Sequence, residues 1–187
     1  MKKMLKPFSM LLTLALLYAG STMAQEKTVM VGGAPMYPSK NIIENAINSK
    51  DHTTLVAAVK AAGLVQTLEG DGPFTVFAPT NEAFAKLPAG TVDNLLKPEN
   101  KAKLTAVLTY HVLAGRFDSK TLISWIKKNG GSYSAKTLEG GTLTFTLKGK
   151  DIMITDEQGN MAKLTIRDVY QKNGVIQVID SVLLPKM

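Results

Sequence analysis

Well past the middle of the chain the period of the apolar residues changes, and this change restricts the possible folds more than any other feature. From Ser134 onward the alternation is two. In "TLTFTL" Leu143, Phe145 and Leu147 fall on one face, and Thr142, Thr144 and Thr146 on the other. "DIMIT", "AKLTI" and "VIQVIDSVLL" follow, divided by Lys148-Gly149-Lys150, Gln158-Gly159-Asn160 and Asn173-Gly174. Turn signals spaced by roughly ten residues predict an antiparallel meander. The first half instead carries helical spacing, with "FTVF" (Phe74 to Phe77) as one early buried strand. Helices first and strands after predict an α+β fold and not a wound parallel sheet.

The helical half is punctuated by caps. Ser39 is placed to cap a short helix with Ile42, Ile43, Ala46 and Ile47 on one face. Asp51 or Thr53 can cap the next, whose stripe is Leu55, Val56, Val59 and Ala62 and whose stop is Gly63. His52, beside that cap, reads as solvent-facing. After Ala78-Pro79, Thr80 or Asn81 can cap a turn that buries Phe84 and Leu87. Thr91 starts a further short helix, and Pro98 opens one carrying Leu104, Val107 and Leu108. Asp118 or Ser119 caps the last, which Gly130 ends.

The amino terminus is read apart from the fold. Lys2, Lys3 and Lys6 precede an apolar stretch around Met10 to Ala19, and Thr22-Met23-Ala24 offers the small residues of a cleavage site. Residues 1–24 are therefore expected to be a signal peptide, 25–38 a flexible Gly/Pro-rich lead, and 39–187 one domain. Export to the periplasm or beyond follows, with no stable membrane insertion after cleavage. There is no cysteine, so stability must come from packing and not from disulfides. The net charge of +7 falls to a mild excess without the three leader lysines, and no basic block remains. That distribution argues against nucleic-acid binding, which usually needs clustered cations. A monomer is expected.

Chemistry is poorly represented. The chain has two histidines and lacks a Gly-x-Ser-x-Gly elbow, a cysteine nucleophile and a His-Glu-x-x-His pair. Asp151, Asp156 and Glu157 flank a hairpin, where charges protect edges. No catalytic residue, metal site or cofactor is expected. The remaining motif is "LTYHVLAG" (Leu108 to Gly115). Counted from Leu104, His111 continues the inward stripe of its helix or stands where that helix hands over to Val112-Leu113. It reads first as a core histidine satisfied by Thr80, Asn81 or a backbone carbonyl, with recognition second and catalysis last.

Three segments together resemble the fasciclin domain family: "GPFTVFAPTNEAFAKLP" (Gly72 to Pro88), "LTYHVLAG", and "NGVIQVIDSVLLP" (Asn173 to Pro185), in that order. The resemblance runs from about Ile42 to Pro185. It implies a wedge-like antiparallel β-sandwich packed with a group of α-helices. It also implies an extracellular, non-enzymatic adhesion module whose partner is a cell-surface or matrix protein or polysaccharide. Two contact sites carry over from animal members. One falls on Asp168-Val169, with valine in place of isoleucine; the other on Tyr110 and His111 with Leu108, Val112 and Leu113 beside them. Thr80, Asn81, Phe84, Asp180 and His111 are expected to be structural. Gln177 stands where many members have histidine, which leaves His111 without a companion. A second expectation is an apolar cleft between helices and sandwich that takes a small hydrophobic ligand.

Overall fold

The computed structural model describes residues 27–186, so the expected signal segment lies outside the described residues. The strands are β1 (Val29–Val31), β2 (Ala34–Met36), β3 (Phe74–Pro79), β4 (Val112–Ala114), β5 (Ser132–Lys136), β6 (Thr142–Lys148), β7 (Asp151–Thr155), β8 (Met161–Gln171) and β9 (Gly174–Ile179). The helices are α1 (Ile42–Ala46), α2 (Thr53–Ala62), α3 (Val65–Glu69), α4 (Asn81–Ala85), α5 (Thr91–Leu95), α6 (Lys101–Tyr110) and α7 (Ser119–Lys128). The fold is α+β, as the change of period implies.

β1 and β2 form a separate hairpin; the other strands make one seven-stranded sheet in the order β4-β3-β9-β8-β7-β6-β5. Its two ends approach one another, and Leu138 N–H donates to Val112 O at 2.8 Å, which brings the sheet close to a barrel. All pairings are antiparallel except β3 with β9, in which Phe74 to Pro79 run beside Gly174 to Ile179. Both strands are covered on both faces, and so their sequences read as nearly continuous apolar runs, interrupted by the buried Thr75 and Gln177 and without alternation. The close approach needs glycine: a Cβ on Gly174 would overlap the Phe74 carbonyl.

The sheet separates two cores. Inside its fold lie Phe77, Tyr110, Leu113, Leu122, Phe145 and Ile154 with their neighbours. On the other face Val76, Ala78, Ile176 and Val178 meet α1, α2, α4 and α6. Burying each large side chain is worth about 1.5–3 kcal/mol, so both layers matter to stability. β8 serves both cores because its register shifts between Leu164 and Ile166 and again between Ile166 and Val169. Leu164 packs inside the sandwich, whereas Ile166 and Val169 pack toward the helices.

The caps follow side-chain geometry closely. Asn41, and not Ser39, caps α1, in a reciprocal box with Glu44. Thr80 Oγ1 accepts from Ala83 N to start α4 at 3.2 Å, and Phe84 is buried behind it. Asp118 caps α7 through Thr121 N at 2.7 Å. Neither Asp51 nor Thr53 caps α2. Asn81 reaches across from α4, accepting from Thr54 N at 3.0 Å and donating to Lys50 O at 2.8 Å. A long-range cap of this kind is invisible to local spacing. Asp180 Oδ1 accepts from Lys163 N at 2.8 Å and joins β8 to the end of β9.

Two expectations fail here. The supposed flexible lead is a hairpin whose Val31 and Met36 are buried. Its turn is glycine-dependent: Gly32 has φ +58, and a Cβ there would stand 2.6 Å from Asp51 N. Asp156 is not edge protection but is 5% exposed, accepting from Gln158 N, Asn160 N and Leu184 N. Among the described residues no helix is long and apolar enough to cross a membrane.

Candidate functional site

Three places hold the residues singled out by sequence. The first is the end of α6. His111 is the C-cap, Nδ1 donates to Val107 O at 2.7 Å, and Nε2 accepts from Leu183 N at 3.0 Å. These partners hold one neutral tautomer, and burial lowers the pKa from 6.5 to about 4. Tyr110 OH donates to Thr142 O at 2.8 Å and accepts from Glu157 N at 3.0 Å. Burial, first of all, pushes its pKa up to about 12. Together the pair ties α6 to β6, to the β7–β8 turn and to the carboxyl-terminal tail.

Tyr110 and Leu113 are 0% exposed, and His111, Leu108 and Val112 are also buried. A surface for a partner cannot be built from side chains that solvent does not reach. The side chains of this motif therefore lie in the core, where the sequence led one to expect a contact surface. His111 is satisfied by backbone groups; Thr80 and Asn81 serve helix caps instead.

The second place is Asp168, which sits in the shifted part of β8 with φ +59. Its Oδ1 accepts from Ser119 N at 2.6 Å and from Gln177 Nε2 at 2.9 Å, and its Oδ2 accepts from Ser119 Oγ. Its own N–H donates to Gln177 Oε1 at 3.0 Å, while Gln177 Nε2 also donates to Phe117 O. The carboxylate is thus an anchor for the start of α7. Val169 beside it is buried and belongs to the core.

What opens to solvent is the groove next to this corner, about 340 Å³, lined by Lys27, Val29, Met36, Arg167, Asp168 and Tyr170. Tyr170 is 40% exposed, and its OH donates to Asp118 Oδ2 at 3.3 Å. Hydrogen bonding from Thr121 lowers the Asp118 pKa and favours the carboxylate that receives Tyr170. Arg167 is braced at 3.4 Å by Asp151, which also pairs with Lys163 at 2.7 Å. The sequence reading missed Lys27, Arg167 and Tyr170. Its one available signal was "VMVGGAPM", where Gly32-Gly33 between short apolar runs announces the hairpin that forms the groove wall.

The third place is an apolar cleft of about 50 Å³ between α1, α2 and α3 on one side and β3 and β9 on the other. Its lining includes His52, which is buried and not solvent-facing. The β1–β2 turn covers it, with Lys50 N–H donating to Gly32 O at 3.1 Å. His52 Nδ1 lies 2.8 Å from Ser49 Oγ. Burial lowers the His52 pKa, opposed by the Ala78 carbonyl and by Asp51. Among the described residues no group of three His, Cys, Asp or Glu side chains could hold a metal ion.

The family model for the fasciclin domain matches residues 50–185. "Protein sll1483" of Synechocystis sp. is 46% identical over 162 residues, covering 87% of this chain and 83% of that one. "Immunogenic protein MPB70" of Mycobacterium bovis is 38% identical over 145 residues, covering 75% of this chain and 66% of its own. Among solved structures, a FAS1 domain pair from the insect cell adhesion molecule Fasciclin I aligns with a TM-score of 0.69 at 18% identity. That alignment covers 79% of this chain and 52% of the other.

Proposed function

The chain belongs to the fasciclin domain family, and from that premise we propose that it is an exported, non-enzymatic adhesion module. It binds a cell-surface or matrix protein or polysaccharide, as a monomer, after cleavage following Ala24. The structural neighbour is part of a cell adhesion molecule, which agrees with this class of role. The observation that carries the reading is the groove of about 340 Å³ beside Asp168, where Tyr170 and Arg167 stand on a strand held rigid from behind. An exposed aromatic next to a braced guanidinium is the composition that dominates contact energies in protein interfaces.

Asp168 contributes by position, because its carboxylate oxygens are engaged by Ser119 and Gln177. The test is a binding array of matrix proteins and glycans probed with the mature protein, residues 25–187. Tyr170→Ala and Arg167→Ala run in parallel. Saturable binding that Tyr170→Ala weakens by about tenfold or more, with an unchanged unfolding midpoint, is expected. A ligand that both variants hold as tightly as wild type removes the groove from consideration. Mass spectrometry of the exported protein should find Gln25 as its first residue.

A further inference from the structure

The groove beside Asp168 owes its composition to an irregularity in β8. In a regular strand Arg167 and Tyr170, three positions apart, would point to opposite faces of the sheet. The register against β9 shifts between Ile166 and Val169, and Asp168 in that stretch has φ +59. One extra residue turns the strand there, and so both side chains line a single groove. A non-glycine residue at positive φ persists only where its surroundings hold it. Here Ser119 and Gln177 grip the carboxylate, and Gln177 Oε1 accepts from the Asp168 amide. The shift that lets β8 serve both cores thus also builds the groove.

Apolar and cationic groups alternate around the opening. Val29 and Met36, paired across the β1–β2 hairpin, give an apolar wall, and the Tyr170 ring adds an exposed aromatic face. Its hydroxyl is held by Asp118, which limits the ring's freedom. Lys27 is exposed and engaged in none of the described hydrogen bonds or ion pairs. Among the described contacts Arg167 uses only Nη2, on Lys150 O at 3.0 Å and Asp151 Oδ1 at 3.4 Å, so that Nε and Nη1 remain for a ligand. Arg116 stands nearby, with its Nη2 3.5 Å from Gln171 O. Asp168 is the one carboxylate on the lining, and both of its oxygens are already engaged.

We infer that the groove binds a uronate polysaccharide, with one sugar face on Tyr170 and a sugar carboxylate between Lys27 and Arg167. The inference rests on the adhesion reading and narrows its partner. Pyranose rings offer an apolar C–H face and a polar edge, which an aromatic ring flanked by cations complements. A space of about 340 Å³ lies near the lower end of the roughly 300–1,000 Å³ of small-ligand pockets, and takes a short stretch of such a chain. A protein partner fits less well, because protein contacts centre on clustered aromatic and apolar anchors. The other large exposed apolar side chains, Met30, Ile47, Leu138 and Met161, do not line the groove. A densely sulfated chain would bring further charges against Asp168; two lining cations beside one carboxylate favour a single charge per sugar.

Calorimetric titration of the mature protein with a galacturonate hexamer, its methyl ester and a dextran sulfate of similar length tests the assignment. Saturable binding of the acid is expected, about tenfold or more tighter than the ester and weakened by added salt. Lys27→Glu, a change at an exposed position, should weaken the acid about fivefold and leave the ester unchanged. Tyr170→Ala should weaken both. Lys103→Glu, on α6 and outside the groove lining, should weaken neither. The inference is overturned if the folded protein does not bind the acid, if the ester or dextran sulfate binds as tightly, or if Lys103→Glu loses as much as Lys27→Glu. A matrix protein that wild type holds and Tyr170→Ala releases, with no uronate chain bound, overturns it too and leaves the adhesion role standing.

Discussion

Acid should destabilise this domain through His111 before its carboxylates are engaged. In the folded chain the imidazole is neutral, with Nδ1 donating to Val107 O and Nε2 accepting from Leu183 N. Burial penalises the charged imidazolium, and so the pKa falls from 6.5 to about 4; a proton on Nε2 would also set a donor against the Leu183 amide. Above pH 6.5 both the folded and unfolded states are neutral, and this residue adds no pH dependence. Between 6.5 and 4 the unfolded chain binds a proton that the native chain refuses, so stability declines with falling pH. Below that window both states are protonated and the decline from this group ends. One pKa unit is worth about 1.4 kcal/mol, which makes the loss about 3 kcal/mol. That is a large part of the roughly 5–15 kcal/mol that holds a domain together. His52, whose pKa burial also lowers, adds a loss of the same sign. Urea unfolding followed by Trp125 fluorescence, in steps from pH 6.5 to pH 4, reads the effect directly. His111→Gln should start less stable and show a shallower dependence on pH. A wild type equally stable across the window would refute the argument, as would a native-state NMR midpoint for His111 near 6.5.

Other perturbations probe the remaining supports. Tyr110→Phe removes a hydroxyl that donates to Thr142 O and accepts from Glu157 N, and should cost about 1–2 kcal/mol in urea unfolding. An unchanged midpoint would mean that those bonds do not form. Gly174→Ala should cost more than about 3 kcal/mol, because its Cβ would meet the Phe74 carbonyl in the parallel β3–β9 pair. Soluble protein with a wild-type melt would contradict that close approach. Asp168→Ala should lose about 2 kcal/mol or more by thermal melting, from three lost hydrogen bonds and a strained positive φ. Asp168→Asn should lose less, since asparagine tolerates the left-handed region.

The sequence was most legible where local rules decide the structure. The change of period located the sheet, and Thr80 and Asp118 cap their helices through their own third residue onward, as local spacing predicts. It was least legible where a partner lies far away along the chain. Asn81 caps α2 from another helix, and nothing near Thr53 could have announced it. His52 looked exposed because its own helix offers no reason for burial; the lid is the β1–β2 turn, eighteen or more positions earlier. That lid was itself missed because strands of three residues are too short to establish a period. The parallel pairing of β3 with β9 was hidden for a different reason. Strands covered on both faces lose the alternation that reports direction and exposure.

The Tyr110-His111 pair shows how a motif can be recognisable and yet wholly buried. Its side chains are distinctive because each must fit one buried setting: a phenol bridging two backbone groups and an imidazole bridging two others. Burial narrows the choice of residue, and a narrow choice is what makes a pattern readable. The groove residues face the opposite condition. Lys27, Arg167 and Tyr170 meet solvent, where packing imposes little on identity, and so no period or spacing marked them. Asp168 lies between these regimes, fixed by Ser119 and Gln177 yet bordering open space. The motif therefore specifies how the two cores are joined, and the strand that leaves Asp168 specifies what the surface offers. Under the proposed adhesion role, substitutions that test the groove belong at Tyr170 and Arg167, because changes at the buried pair would act through the stability of the fold.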